Sequence, residues 1–353
     1  MSTATTKMEY VRLGQSGLRI SKVILGCMSY GNPNYMGNWV LPEEEGSKYI
    51  KAAYDAGINA FDTANGYSNG LSEEVLGRVI KEHKLPRDEI VILTKLFFPI
   101  SRNSDEFLYA PPELWTLLVT PTTVQHIFDS VKHSLRRLQL DYIDVTVSEE
   151  TMQALHDVVK AGHVRYIGMS SCYAWQFHAM QNYAINNKLT PFIIMENHYN
   201  LLYREEEREM FPTLKHFNVG AIPCRSPLAR GALTRPLESQ STSRGNSDSM
   251  PAQLYVQSTA NQTIVKRSVF CALELNARYW LFRVEEIAKK RDISMAQVSL
   301  AWLLSKEGVS APIIGSNSLK NLADLIAAIH IKLTEEEIKY LEEPYQPMGI
   351  LGH

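Results

Sequence analysis

The chain has 353 residues, 45% of them hydrophobic and 21% charged, which is the make-up of one large α/β domain or two smaller ones and excludes a fibrous or disordered protein. Its net charge of -2, with no basic stripe, argues against nucleic acid as the primary partner. No apolar run approaches the roughly 18 residues of a membrane span, so no membrane partner is expected.

The opening ten residues are polar and lack the apolar centre of a secretory leader. Residues 23–26 form the first strand-like apolar run. A helix is predicted over 42–56, with acidic Glu43 and Glu44 suited to the positive end of its dipole. Residues 58–62 read as a strand, and 72–82 as a helix whose Ser72 opens a capping box. Then come a strand at 90–95, a long helix at 122–138, a strand at 142–147 and a helix at 149–161. Further pairs follow: strand 164–169 with helix 174–185, and strand 191–197 with helix 205–216. A strand at 219–223, a helix at 294–305, a strand at 311–315 and a helix at 319–328 complete the series. Two stretches fit neither period: 97–121, with Phe97, Phe98, Phe107, Tyr109 and Trp115, and 237–262, rich in Ser, Gln and Asn and read as a flexible flap.

Eight strands, nearly all followed by a helix, predict a parallel sheet closed as a (β/α)8 TIM barrel. The competing doubly wound sheet calls for G-x-G-x-x-G after an early strand. The turn after Leu25 reads Gly26-Cys27-Met28-Ser29-Tyr30-Gly31, which does not match. The expected organisation is one domain over 1–353, with a core over about 10–330 and a C-terminal helix and tail over 331–353.

In such a barrel, chemistry sits at the C-terminal ends of the strands. Asp62 ends the second predicted strand, Tyr67 lies in the loop after it, and Lys95 ends the third. Singly, Asp62 reads equally well as a turn cap, Tyr67 as a half-buried aromatic and Lys95 as a solvated strand end. Together they form a proton-donor set. A phenol titrates near pH 10, a nearby ammonium stabilises its anion, and a carboxylate holds that ammonium in place. The four cysteines (Cys27, Cys172, Cys224, Cys271) are scattered without a CxxC pair, which fits free thiols in a reducing, cytosolic setting. No histidine pair has metal spacing with a carboxylate, so no metal is expected. His198 reads as a solvated loop residue.

These residues resemble the aldo-keto reductases. The resemblance is carried by Leu13-Gly14 with Ser16-Gly17-Leu18, by Gly57-Ile58-Asn59 with Phe61-Asp62-Thr63-Ala64, by Ser134-Leu135-Arg136-Arg137-Leu138 before Asp141-Tyr142-Ile143-Asp144, by 162–170, and by Ser226-Pro227-Leu228-Ala229-Arg230-Gly231. It is nearest to the fungal aryl-alcohol-dehydrogenase-like reductases of secondary metabolism.

The resemblance implies reduction of an aldehyde or ketone by hydride transfer from NADPH. Tyr67 would be the proton donor, Lys95 its pKa-lowering neighbour and Asp62 the partner of Lys95. It implies that the nicotinamide lies near Asp62, Ser170, Ser171 and Glu196. The pyrophosphate would be held by Ser226, Leu228 and Gly231, and the adenosine phosphate by Gly315, Ser316, Asn317, Asn321 and Asp324. The substrate would be a small aromatic or polyketide-derived carbonyl, with 97–121, Tyr30 and Tyr67 shaping its pocket.

The chain also departs from that pattern. The run after the fourth strand, Ser148-Glu149-Glu150, is short and lacks the family's histidine. Glu196 stands where the family has glutamine, and Cys224-Arg225 where it has one aromatic residue. Residues 268–282 read as an insertion, and the fourth strand or its loop as truncated. Two further readings follow from the same departures: an NADPH-binding barrel that senses the cofactor without turnover, and the product of a decayed gene or of one whose exon boundaries are wrongly drawn.

Overall fold

The computed structural model describes residues 7–96, 100–101, 124–147, 152–236 and 275–350. The predicted segments 97–121 (apart from 100–101) and 237–262 lie outside them, as do 148–151 and the first part of 268–282. The chain opens with an antiparallel hairpin, β1 (Tyr10–Arg12) and β2 (Arg19–Ser21), with Val11 opposite Ile20. Eight parallel strands follow: β3 (Ile24–Gly26), β4 (Ala60–Asp62), β5 (Val91–Lys95), β6 (Ile143–Val147), β7 (Val164–Ser170), β8 (Phe192–His198), β9 (Gly220–Arg225) and β10 (Ile313–Ile314). Their order is β10-β3-β4-β5-β6-β7-β8-β9. Beside the two edges, the Ala221 N–H donates to the Gly308 carbonyl at 3.1 Å and the Ser310 N–H to the Ala221 carbonyl at 2.8 Å, which brings the sheet round into a (β/α)8 TIM barrel.

Strand alternation determines what the barrel encloses. Ile24, Ala60, Leu93, Val145, Ile194, Ile222 and Ile313 form one apolar cluster inside it, joined by Leu13 and Ile20 from the hairpin, which plugs the N-terminal end. Gly14 makes the plug possible. Its φ is +51°, and a Cβ there would lie 2.6 Å from the Asn218 carbonyl oxygen. Two residues further along the strands, on the same inward face, the series becomes Asp62, Lys95, Glu196 and Cys224. The apolar floor is thus one pleat below the chemically active layer.

The helices pack outside. They are α1 (Pro33–Met36), α2 (Glu43–Asp55), α3 (Leu71–Glu82), α4 (Val124–Leu138), α5 (Met152–Lys160), α6 (Ala174–Asn186), α7 (Met210–Phe217), α8 (Leu275–Arg291), α9 (Met295–Ser305), α10 (Leu319–Ala327) and α11 (Glu335–Glu342). The start of α2 has Pro42 at the cap and Glu43, Glu44 and Glu45 in its first turn, as its sequence predicts. The capping box expected at Ser72 is absent. α3 starts one residue earlier behind a left-handed Gly70, and the Ser72 hydroxyl donates to the Cys27 carbonyl at 2.8 Å. The helix predicted over 205–216 is split into a 3-10 turn, Glu205–Glu207, and α7, because the buried Glu205 and Glu206 side chains bind other parts of the chain.

The fourth barrel strand is not shortened. β6 pairs with β5 through Leu93↔Val145 to Lys95↔Val147 and with β7 through Ile143↔Val164 to Val147↔Gly168. Residues 275–282 of the supposed insertion belong to the continuous helix α8, with Trp280 and Leu281 buried and the Trp280 ring 6.1 Å from that of Tyr345.

Two family-like motifs prove to be braces. Asp144 accepts from Arg87 at 2.6 Å and from the Ile92 N–H at 2.9 Å, and Arg87 and Arg165 both lie over the Tyr142 ring, at 3.9 and 4.1 Å. The fully buried Glu73 accepts from Arg137 at 2.6 Å and from the Thr94 hydroxyl at 2.6 Å, joining α3, α4 and β5. Removing one member of a buried pair strands the other charge. Arg137→Ala is therefore expected to cost about 3 kcal/mol of unfolding free energy, read by urea denaturation. A loss under about 0.5 kcal/mol, as for an ordinary surface site, would contradict the brace.

Candidate active site

At the barrel mouth the Asp62 carboxylate contacts the Lys95 ammonium, which also donates to the Thr63 carbonyl at 3.0 Å. From the far side of the barrel, Glu196 Oε2 approaches the same Nζ to 3.3 Å. The Lys95 ammonium lies 5.3 Å from the centre of the Tyr67 ring. The three residues singled out in the sequence are therefore brought together, with Glu196 as a fourth.

The loop holding Tyr67 is unusual backbone. Ser68, Asn69 and Gly70 are successively left-handed, with φ of 49°, 51° and 92°. Such strain persists only where neighbours enforce it. The Asn65 N–H donates to the Lys95 carbonyl at 3.1 Å, the Tyr35 hydroxyl to the Gly66 carbonyl at 2.8 Å, and the Asn32 N–H to the Ser68 hydroxyl at 3.1 Å.

Burial governs the electrostatics. It pushes the Asp62 carboxyl well above the usual carboxylate range; the Lys95 ammonium opposes this and the nearby Glu196 carboxylate adds to it. The Lys95 ammonium is held well above its ordinary value, because Asp62, Glu196 and Tyr67 outweigh the effect of burial, which acts downward. The Tyr67 phenol is raised rather than lowered. Burial dominates, Lys95 opposes it, and Asp62, Cys224 and Glu196 reinforce it. Lys95 does act downward on the phenol, as expected, but desolvation, together with Asp62, Cys224 and Glu196, outweighs one ammonium.

Around this centre, Ser170 faces Glu196 in the β7–β8 register and its hydroxyl donates to the Glu196 carbonyl at 3.3 Å, as does the N–H of Ser171, whose φ is 52°. After β9, Ser226, Ala229, Arg230 and Gly231 all have positive φ, making a tight loop in which the Ala229 N–H returns to the Ser226 carbonyl and the Gly231 N–H to that of Leu228. After β10, Gly315, Asn317 and Asn321 are exposed, while the Ser316 hydroxyl is bonded within the turn to Ser318. Asp324 accepts from the Ser294 hydroxyl at 2.6 Å, so its carboxylate serves the start of α9.

Tyr30, expected at the substrate pocket, belongs to the hydrophobic core. It is fully buried, stacked on Tyr49 at 5.8 Å, and donates to the Ser316 carbonyl at 3.1 Å. His198 is no loop residue either: it ends β8, half-buried and stacked on Tyr203 at 4.3 Å. Nothing in the local sequence announces that Cys27 and Cys224 flank the charged cluster. The inward series that runs from Ile222 to Cys224 is the signal that could have placed one of them.

At its C-terminal mouth the (β/α)8 barrel thus places the buried Asp62 against the half-buried Lys95, beside Tyr67. The chain belongs to the aldo/keto reductase family, whose model matches residues 22–346. It is 46% identical to a Schizosaccharomyces pombe protein provisionally assigned as an aryl-alcohol dehydrogenase, over 97% of both chains. It is 44% identical to versiconal hemiacetal acetate reductase of Aspergillus parasiticus, over 97% of this chain and 98% of that one. An aldo-keto reductase of Fusarium vanettenii is 40% identical over 100% and 95%.

Enzymes of this family use a nicotinamide cofactor. The residues here fit one. Among the described residues, both carboxylate oxygens of Glu196 are buried without a hydrogen-bond partner and could accept from a carboxamide.

Proposed function

We propose that the chain reduces an aldehyde or ketone, aromatic or polyketide-derived, with NADPH as cofactor and Tyr67 as proton donor. The observation that carries this reading is the Lys95 ammonium, bound to Asp62 and lying 5.3 Å from the Tyr67 ring centre. NADPH supplies the hydride when bound. The Tyr67 phenol, protonated at neutral pH because burial raises it, gives its proton to the carbonyl oxygen. Lys95 stabilises the phenolate that remains, and Asp62 keeps the ammonium from swinging into solvent. Ser170, Ser171 and Glu196 would hold the carboxamide, and the 226–231 loop the pyrophosphate. Gly315, Ser316, Asn317 and Asn321 would meet the adenosine phosphate, with the exposed Lys320 as a nearby cation.

Titration with NADPH, followed by cofactor fluorescence and melting temperature, tests the reading. Micromolar binding is expected to raise the melting temperature, since ligand at about 100 times Kd adds about 2.7 kcal/mol. A folded protein with no shift would refute it. A second reading, cofactor binding without turnover, is favoured by the absence of histidine in Ser148-Glu149-Glu150. A panel of aromatic aldehydes separates the two: NADPH consumption supports the reductase, and tight binding with no consumption supports the sensor.

A further inference from the structure

Two buried carboxylates share one ammonium at the barrel mouth. Asp62, at the end of β4, and Glu196, on β8 across the barrel, both lie within ion-pair reach of Lys95 Nζ. The Asp62 side chain is 3% exposed and that of Glu196 is 0%. Ionised together they leave an uncompensated negative charge in a desolvated site, and such a pair retains a proton. Among the described residues, neither Glu196 oxygen has a hydrogen-bond partner of its own to stabilise that charge. An amide at this position would carry no charge and no exchangeable carboxyl proton.

We propose that Glu196 makes this site discriminate between the two redox forms of its cofactor: its charge beside Asp62 keeps one proton on the Asp62 carboxyl at the barrel mouth, and that proton is released when the positively charged, oxidised nicotinamide ring is bound. This rests on the reading of the mouth as a nicotinamide site. The oxidised ring carries a positive charge and the reduced ring does not. The second carboxylate is therefore stabilised as an anion only by the oxidised form. The released proton goes to solvent, and no bond other than carboxyl O–H is broken. Oxidised cofactor thus binds progressively better than reduced cofactor as pH rises, and the two converge as pH falls and the carboxyl pair stays protonated.

The other groups facing the pair do not duplicate this titration. Cys27 at the end of β3 and Cys224 on β9 are thiols raised by burial, Tyr67 after β4 is likewise raised, and Lys95 on β5 is raised by its carboxylate partners. Arg225, which follows Cys224 and ends β9, is exposed. His198 lies two residues along β8, stacked on Tyr203.

The test uses the full chain. Kd for NADP+ and for NADPH is measured by calorimetry and fluorescence from about pH 6 to about pH 9, where one released proton changes the ratio of the two constants by up to about tenfold per pH unit. Calorimetry in two buffers of different ionisation enthalpy counts the proton directly. The ratio is expected to shift toward the oxidised form with rising pH in the wild type and to be flat in Glu196→Gln. A flat wild-type ratio overturns the proposal while leaving the cofactor reading intact. A slope that persists in Glu196→Gln assigns the proton to another group, such as His198, and also overturns it. Failure of both forms to bind the folded wild type removes the cofactor reading and the proposal together.

Discussion

Tyr67→Phe is expected to reduce turnover of an aromatic aldehyde by at least the roughly 10²–10⁴-fold that a positioned acid contributes, while NADPH binds within about threefold of wild type. The two readouts separate because the substitution removes one hydroxyl and keeps the ring. The ring still fills its place beside Lys95, and the left-handed run from Ser68 to Gly70 is still enforced by Asn32 and Tyr35. Stability is expected to change little, since the Tyr67 hydroxyl is not part of the Asp62–Lys95–Glu196 network of contacts that holds the mouth together. Steady-state rates and fluorescence titration on the same preparation check both parts. Undiminished turnover would remove Tyr67 from the chemistry. Loss of binding with loss of turnover would make it a structural residue of the cofactor site.

Lys95→Met is expected to do more damage, because it fails in two ways. The phenolate of Tyr67 loses the cation beside its ring, so turnover falls at least as far as in Tyr67→Phe. The substitution also leaves Asp62 and Glu196 facing each other in a desolvated mouth. Removing one partner from a buried ionic cluster costs about 3–5 kcal/mol, which chemical denaturation should register as a large fall in midpoint. Part of that cost is avoidable through proton uptake, so the variant is expected to be least stable at alkaline pH. The folded-state Asp62 carboxyl lies above its unfolded value, so the penalty appears as pH rises through it. Adding Asp62→Asn and Glu196→Gln to Lys95→Met should recover most of the lost stability and none of the turnover. If the triple variant is no more stable than Lys95→Met alone, the loss comes from packing of the lysine stem and not from stranded charge.

What the sequence made legible follows the length scale of each interaction. The strands at 58–62, 90–95 and 191–197 and the helices at 42–56 and 294–305 are specified by neighbours a few residues apart, through alternation, an acidic first turn or a serine cap, and the structure has them within a residue or two. The grouping of Asp62 and Lys95 was also legible, since both end adjacent parallel strands. The approach of Glu196 to Lys95 was not, because it spans the barrel and exists only once the sheet has closed. The same applies to the meeting of Glu73 with Arg137, on a helix 64 positions away. Ser72 misled for a related reason: its hydroxyl had a stronger claim from the Cys27 carbonyl, 45 positions away, than from its own helix. The burial of Tyr30 against Tyr49 and the Ser316 carbonyl was not legible either, because a local reading has no means of telling which face of a loop the barrel will cover.

Near the end of the chain, the Tyr345 hydroxyl donates to Glu205 at 2.6 Å, the Met348 N–H donates to the same carboxylate oxygen at 2.8 Å, and Arg204 joins Glu207 and Glu342. Glu206, between them, receives the Asn197 side chain at 2.7 Å, and Asn197 follows Glu196 directly. Residues 345–348 are thereby linked, through Glu205, Glu206 and Asn197, to the charged centre of the barrel. For anyone handling this protein, the choice of which end carries a purification tag is also a choice about the site: the seat of 345–348 is tied to the strand that carries Glu196, whereas the hairpin from Tyr10 to Ser21 packs on the opposite, apolar floor.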